Sequence, residues 1–190
     1  MSYKRAVMPH NFPAGDDLTP DMNGIGMNFT GEARSNPNIE NTLFAASIEG
    51  LNGDGKVLSV LTSWIDIHFE RINLDRLYKM ILTYNDERIK YFWTAMFQWK
   101  GRTPRYKKIR KLAKKKKNIF REDLDLLVKI KGEDERFIKT CLLVPKNYLR
   151  IRGRDAMPPE MLAKYHNAYK YRLIIGPTYR ADMWALNEDN

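Results

Sequence analysis

Twelve lysines and arginines fall between Lys100 and Arg121 with no acidic residue among them: Lys100, Arg102, Arg105, Lys107, Lys108, Arg110, Lys111, Lys114, Lys115, Lys116, Lys117 and Arg121. Ammonium and guanidinium groups at this density raise a local positive potential that attracts polyanions. The 190-residue chain has 33 basic and 23 acidic side chains, so outside this segment 21 basic groups face 23 acidic ones. The net charge of +10 is therefore concentrated in one short stretch, whose chemistry is phosphate binding. Nucleic acid is the expected partner, with duplex DNA ahead of RNA. An anionic membrane surface would attract the same charges. The segment's apolar stripe is small, however, and no lipidation motif accompanies it.

A second set of residues has the chemistry to read bases. Lys90, Tyr91, Thr94 and Gln98 share one ridge of a helix whose opposite face carries Ile89, Phe92, Trp93, Met96 and Phe97. Lysine and glutamine have the donors and acceptors that recognise guanine and adenine edges in the major groove. If the apolar face belongs to the core, this ridge is free to do so.

Catalytic chemistry finds less support. Asp66, His68 and Glu70 are close in sequence, but two residues turn a helix by about 200°, so the histidine points away from both carboxylates. His68 is expected to be a core residue beside Trp64 and Ile65. Three histidines, His10, His68 and His166, and the single Cys141 have no zinc-ligand spacing. Pro20-Asp21 with Asp54-Gly55-Lys56 loosely echoes a metal-dependent nuclease, yet Asp54 sits in an Asn-Gly-Asp-Gly turn. There is no phosphate-cradling Gly-x-x-x-x-Gly-Lys, and Gly24-Ile25-Gly26 is an isolated fragment. Cys141 lies among Leu142, Leu143 and Val144, the surroundings of an inert buried thiol. Tyr179-Arg180-Ala181-Asp182 reads as a salt-bridged terminal turn. No cofactor is expected.

The elements that must position these groups are mostly helical. Residues 1–38 hold Pro9, Pro13, Pro20 and Pro37 with Gly15, Gly24, Gly26 and Gly31, and no period survives that punctuation. They read as an irregular arm: a partly disordered terminus, or alternatively one that orders on a protein partner with Met22, Ile25, Met27 and Phe29 as anchors. Residues 39–190 read as a single, mainly helical domain. Asn38 caps a helix carrying Leu43, Phe44, Ile48 and Leu51, and a second helix runs from about Lys56 to Phe69. Asn73 caps a third with Leu74, Leu77, Tyr78 and Ile81, and Asn85-Asp86 opens the fourth. In the basic segment, Thr103 at N-cap and Pro104 at N1 predict a helix that docks by Tyr106, Ile109, Leu112 and Ala113.

After Asp123 the period changes to two. Leu124, Leu126, Val128 and Ile130 predict a strand that pairs with Thr140–Val144 as a hairpin. Pro158-Pro159 opens another helix with Met161, Leu162 and Tyr165 on one side. Tyr171–Ile175 reads as a short buried strand, and Tyr179–Leu186 as a terminal turn or helix anchored by Trp184. The fold class is thus mainly α with a small β element: a helical bundle compatible with a helix-turn-helix or winged-helix core. One cysteine excludes an internal disulfide, and no run approaches the roughly 20 apolar residues of a membrane span. The opening residues lack the apolar stretch of a signal peptide, so the expected compartment is the cytoplasm. A non-enzymatic DNA-binding regulator, or the regulatory member of a gene pair, fits these features best. A scaffold on RNA or an acidic protein, and a metal-dependent nuclease, are the alternatives.

Overall fold

The computed structural model describes Pro9 and residues 11–113, 118–119 and 124–188. Its helices are α1 (Thr19–Gly24), α2 (Ile39–Leu51), α3 (Gly55–His68), α4 (Leu74–Tyr84), α5 (Glu87–Lys100), α6 (Asp125–Lys131), α7 (Pro159–Tyr165), α8 (Asn167–Ile175) and α9 (Tyr179–Glu188). The protein is mainly helical. Among the described residues the only sheet is a parallel pair, β1 (Asn118–Ile119) with β2 (Leu142–Leu143).

Four short polar side chains start the central helices, three of them, Asn38, Asn73 and Asp86, at positions the sequence predicts and the fourth, Asp54, in what reads as a turn. The Asn38 carboxamide oxygen accepts from the Asn41 N–H at 3.0 Å, and that of Asn73 from Arg76 at 3.3 Å. Asp86 accepts from Arg88 at 2.8 Å. Asp54 takes the Lys56 and Val57 N–H groups, both at 2.9 Å. Each supplies an acceptor to a first-turn donor that has no partner within its helix. Helix α2 lies at the centre, packed against α1, α3, α4 and α5, so residues all round it are buried. Gly50 permits the tight α2–α3 turn, because a Cβ there would meet Leu58 Cβ at 2.9 Å.

The segment before Asn38 departs from the sequence reading. It contains α1, and Leu18, Met22, Ile25 and Met27 are at most 2% exposed in the common core. The Trp64 indole N–H donates to the Ile25 carbonyl at 2.7 Å. Met27 bridges Ala156, and the Met157 N–H donates to the Gly26 carbonyl at 2.7 Å. The intended anchors for a partner are thus occupied by the chain itself, apart from the half-buried Phe29. Gly and Pro interrupt the period here, but Leu18, Met22 and Ile25 still follow i, i+4, i+7, the spacing of one helical face.

The second half also corrects several expectations. Residues 125–131 are helical, with an i,i+4 Asp125–Lys129 ion pair at 2.6 Å, and Gly132 at φ 76° ends the helix. Leu124 is buried while Leu126 and Ile130, on the supposed inner face of a strand, are 63% and 69% exposed. Leu124, Leu127 and Val128 fit the helical period as well as alternation fits a strand, and such short apolar runs are ambiguous. Residues 124–144 therefore form no antiparallel hairpin: β2 pairs with β1 in parallel, Asn118 opposite Leu142.

Tyr171–Ile175 lies inside α8, whose first turn is capped by His166 Nδ1 accepting from the Tyr169 N–H at 3.2 Å. In α7 only Leu162 is buried, and Met161 and Tyr165 face solvent. Helix α9 buries Ala181 and Ala185, while Trp184 stays exposed with its ring 6.1 Å from that of Tyr171.

One buried ionic cluster ties the chain's ends together. Arg172 of α8 makes a bidentate pair with Glu40 of α2 at 2.6 and 2.8 Å and also contacts Asp182 of α9 at 2.8 and 3.0 Å. A further guanidinium N–H donates to the Arg71 carbonyl, and Glu40 accepts the Asn73 N–H at 2.8 Å. Glu40 and Arg172 are essentially inaccessible to solvent.

Candidate nucleic-acid interface

The basic segment is anchored as its apolar stripe predicts, although its backbone is not one α-helix. Pro104–Tyr106 and Ile109–Lys111 form two separate 3₁₀ turns, and the Thr103 side chain makes no cap. Tyr106 packs against both Phe69 and Phe97, with ring centroids 5.0 and 5.4 Å away, and its hydroxyl donates to Glu70 at 2.8 Å. Burial and that carboxylate push its phenol well above the usual range. Ile109 and Ala113 are buried and Leu112 packs against the core edge.

The cations point the other way. Arg102, Arg105, Lys107, Lys108 and Lys111 are exposed and Arg110 is half-buried. Among the described residues none of the six is paired with a carboxylate. The Arg105 guanidinium lies over the Tyr106 ring at 4.8 Å, which fixes its stem while leaving its edge free. Lys100 is different: its ammonium is spent on Asp66 at 2.6 Å. Lys114, Lys115, Lys116, Lys117 and Arg121 lie outside the described residues.

The proposed reading ridge on α5 is largely engaged within the fold, with Lys90, Tyr91 and Gln98 half-buried. Thr94 is fully buried, and its hydroxyl accepts the Ala113 N–H at 3.2 Å. Gln98 donates to the Arg110 carbonyl at 3.0 Å and accepts from the Cys141 N–H at 2.7 Å. The half-buried Tyr91 presents its carbonyl to Cys141 Sγ at 3.5 Å, and Lys90 pairs with Glu87 at 2.7 Å. Helix α5 is therefore covered on both faces. Its polar residues satisfy backbone groups of the two segments laid across it, a role that a one-face amphipathic reading cannot foresee.

It follows that Gln98→Ala should leave any preference among DNA sequences unchanged. Instead it should destabilise the fold by about 1–3 kcal/mol, because two backbone groups lose their partner. Urea unfolding together with a panel of duplexes measures both effects.

The residues weighed for catalysis have structural partners. His68 stacks on Trp64 at 4.6 Å, and its ring nitrogens bond the Tyr169 hydroxyl at 2.6 Å and the Met157 carbonyl at 2.9 Å. Burial brings its pKa down to about 4, so it is neutral at pH 7. Asp66 and Glu70 serve Lys100 and Tyr106. Asp21 pairs with Arg34 at 2.6 Å and Asp54 caps α3, so the nuclease echo does not bring its two aspartates to free positions. Burial pushes the Cys141 thiol up to about 11. Among the described residues no three His, Cys, Asp or Glu side chains converge as metal ligands would, and no helix is long and apolar enough to cross a membrane.

No protein-family pattern matches the chain, and neither a curated protein nor a solved structure is similar enough to point to one. The functional reading rests on geometry and charge.

Proposed function

We propose that the protein is a non-enzymatic nucleic-acid-binding protein that grips the sugar–phosphate backbone of duplex DNA through its basic segment. The observation that carries this reading is the cation face itself. Five exposed cations, with no carboxylate partner among the described residues, sit on turns fixed to α5 by Tyr106, Ile109, Thr94 and Gln98. A mobile charge run would lose entropy on binding, whereas turns anchored in this way present their charges already ordered. Because α5 is covered, contact is to phosphates rather than to base edges, which gives position without sequence information. A regulator of this kind acts by occupying DNA, not by a helix-turn-helix reading of an operator.

Counterion release supplies the test. If about six cations contact phosphates, the logarithm of the binding constant should fall with the logarithm of salt at a slope of about −5. Fluorescence anisotropy with a labelled duplex between low and physiological salt measures it. A slope near zero, or tighter binding to structured RNA at every salt concentration, would set this reading aside.

A further inference from the structure

Five more cations meet at a different place. Lys56 on the first turn of α3, Lys131 at the end of α6, and Lys146, Arg150 and Arg152 on the following loop line a groove of about 390 Å³. All five are exposed, and among the described residues none is paired with a carboxylate. One acid, Asp155, shares the lining. Asp66, which holds Lys100 at the edge of the basic segment, lies ten residues along α3 from Lys56, so about 15 Å of helix separates the two cationic surfaces.

The groove is built rather than incidental. Ser59 and Ser63, one turn apart on α3, clasp the loop. The Ser59 hydroxyl has two carbonyls within reach, Gly55 of its own helix at 2.9 Å and Tyr148 of the loop at 3.3 Å. The Ser63 hydroxyl, which donates to the Ser59 carbonyl at 3.0 Å, accepts the Arg152 N–H at 3.4 Å and lies 3.4 Å from the Arg150 carbonyl. Arg136, paired with Asp134 at 2.6 Å, donates to the Leu149 carbonyl from the other side. The Lys146 N–H is tied to the Gly132 carbonyl at 2.9 Å, and Asn147, at φ 63°, turns the chain between Lys146 and Tyr148. Three elements thus hold five like charges together against their mutual repulsion, with a single carboxylate among them. A phosphate monoester carries a charge of about −2, too little for a set of five cations, whereas a row of diesters supplies a further negative charge at each step.

We infer that this groove is a second phosphate-binding site, taking the sugar–phosphate backbone of a nucleic acid independently of the basic segment. The inference rests on the proposed function and extends it to two separate contact surfaces. The full chain, labelled for amide NMR, is titrated with a 16-base-pair duplex. Saturable shifts are expected both at residues 102–111 and at Lys56, Lys146, Arg150 and Arg152. Arg150→Glu with Arg152→Glu, at two exposed positions, should erase the second set alone. This double variant should also weaken affinity about tenfold or more and flatten the salt slope by about 2 units.

Shifts confined to residues 102–111 overturn the groove and spare the proposed function. Shifts confined to the groove overturn the basic segment's role and spare the inference. No shifts at either surface overturn both. Groove shifts with phosphatidylserine vesicles but none with duplex would assign it to a lipid headgroup, which also contradicts the inference.

Discussion

A chain beginning at Pro37 is expected to show no cooperative melting transition. The truncation removes Leu18, Met22, Ile25 and Met27, all buried in the core. Burying one such side chain is worth about 1.5–3 kcal/mol, so four together contribute roughly 6–12 kcal/mol. That is comparable to the entire net stability of a domain, about 5–15 kcal/mol. The loss is compounded because the Trp64 indole N–H, bonded to the Ile25 carbonyl at 2.7 Å, would be left without its acceptor. Circular dichroism at 222 nm during heating measures the outcome. A sigmoidal melt within a few degrees of the full chain would show that the segment packs without stabilising.

Arg172→Ala is expected to cost about 3–5 kcal/mol, because it strands the Glu40 carboxylate in the interior without its counter-charge. For a domain of this size the melting temperature should fall by roughly 6–20 °C. Glu40→Ala should be destabilising for the mirror reason. The double variant should cost much less than the two changes summed, since neither charge is then left alone. A double-mutant cycle in urea decides the matter. If Arg172→Ala stays within about 1 kcal/mol of wild type, the cluster is not a stabilising tie between α2, α8 and α9.

The contrast between these two sites shows where the sequence is informative. Helices α2 to α5 were legible because local chemistry specifies them. Each begins at an Asn or Asp whose side chain reaches a donor two or three residues on, and each follows the helical apolar period. Residues 124–131 and 171–175 were misread because a short apolar run satisfies both periods, and only packing chooses between them. Residues 11–38 were misread because their Gly and Pro content hides the i, i+4, i+7 relation of Leu18, Met22 and Ile25. The pairing of Glu40 with Arg172, 132 positions apart, is wholly tertiary and has no local trace.

The candidate site divides in the same way. The basic segment and its anchoring stripe were readable as composition and spacing. The covering of α5 was not, because whether Thr94 and Gln98 face solvent or another segment depends on where residues 110–113 and 141 are laid down. The groove cations lie on three elements between positions 56 and 152, so no window contains them all. Only Arg150-Ile151-Arg152-Gly153-Arg154 carried a local trace, three arginines at alternate positions.

The most direct measurement is the affinity of a folded, charge-reversed basic segment for duplex DNA. Lys107→Glu, Lys108→Glu and Lys111→Glu change three exposed side chains outside the buried core, so the helical circular dichroism should be preserved. At physiological salt the triple variant should bind a labelled duplex at least tenfold more weakly than wild type, and its salt slope should be flatter by about 3 units. Unchanged affinity and slope in that folded variant would contradict the claim that this segment is where the protein holds nucleic acid.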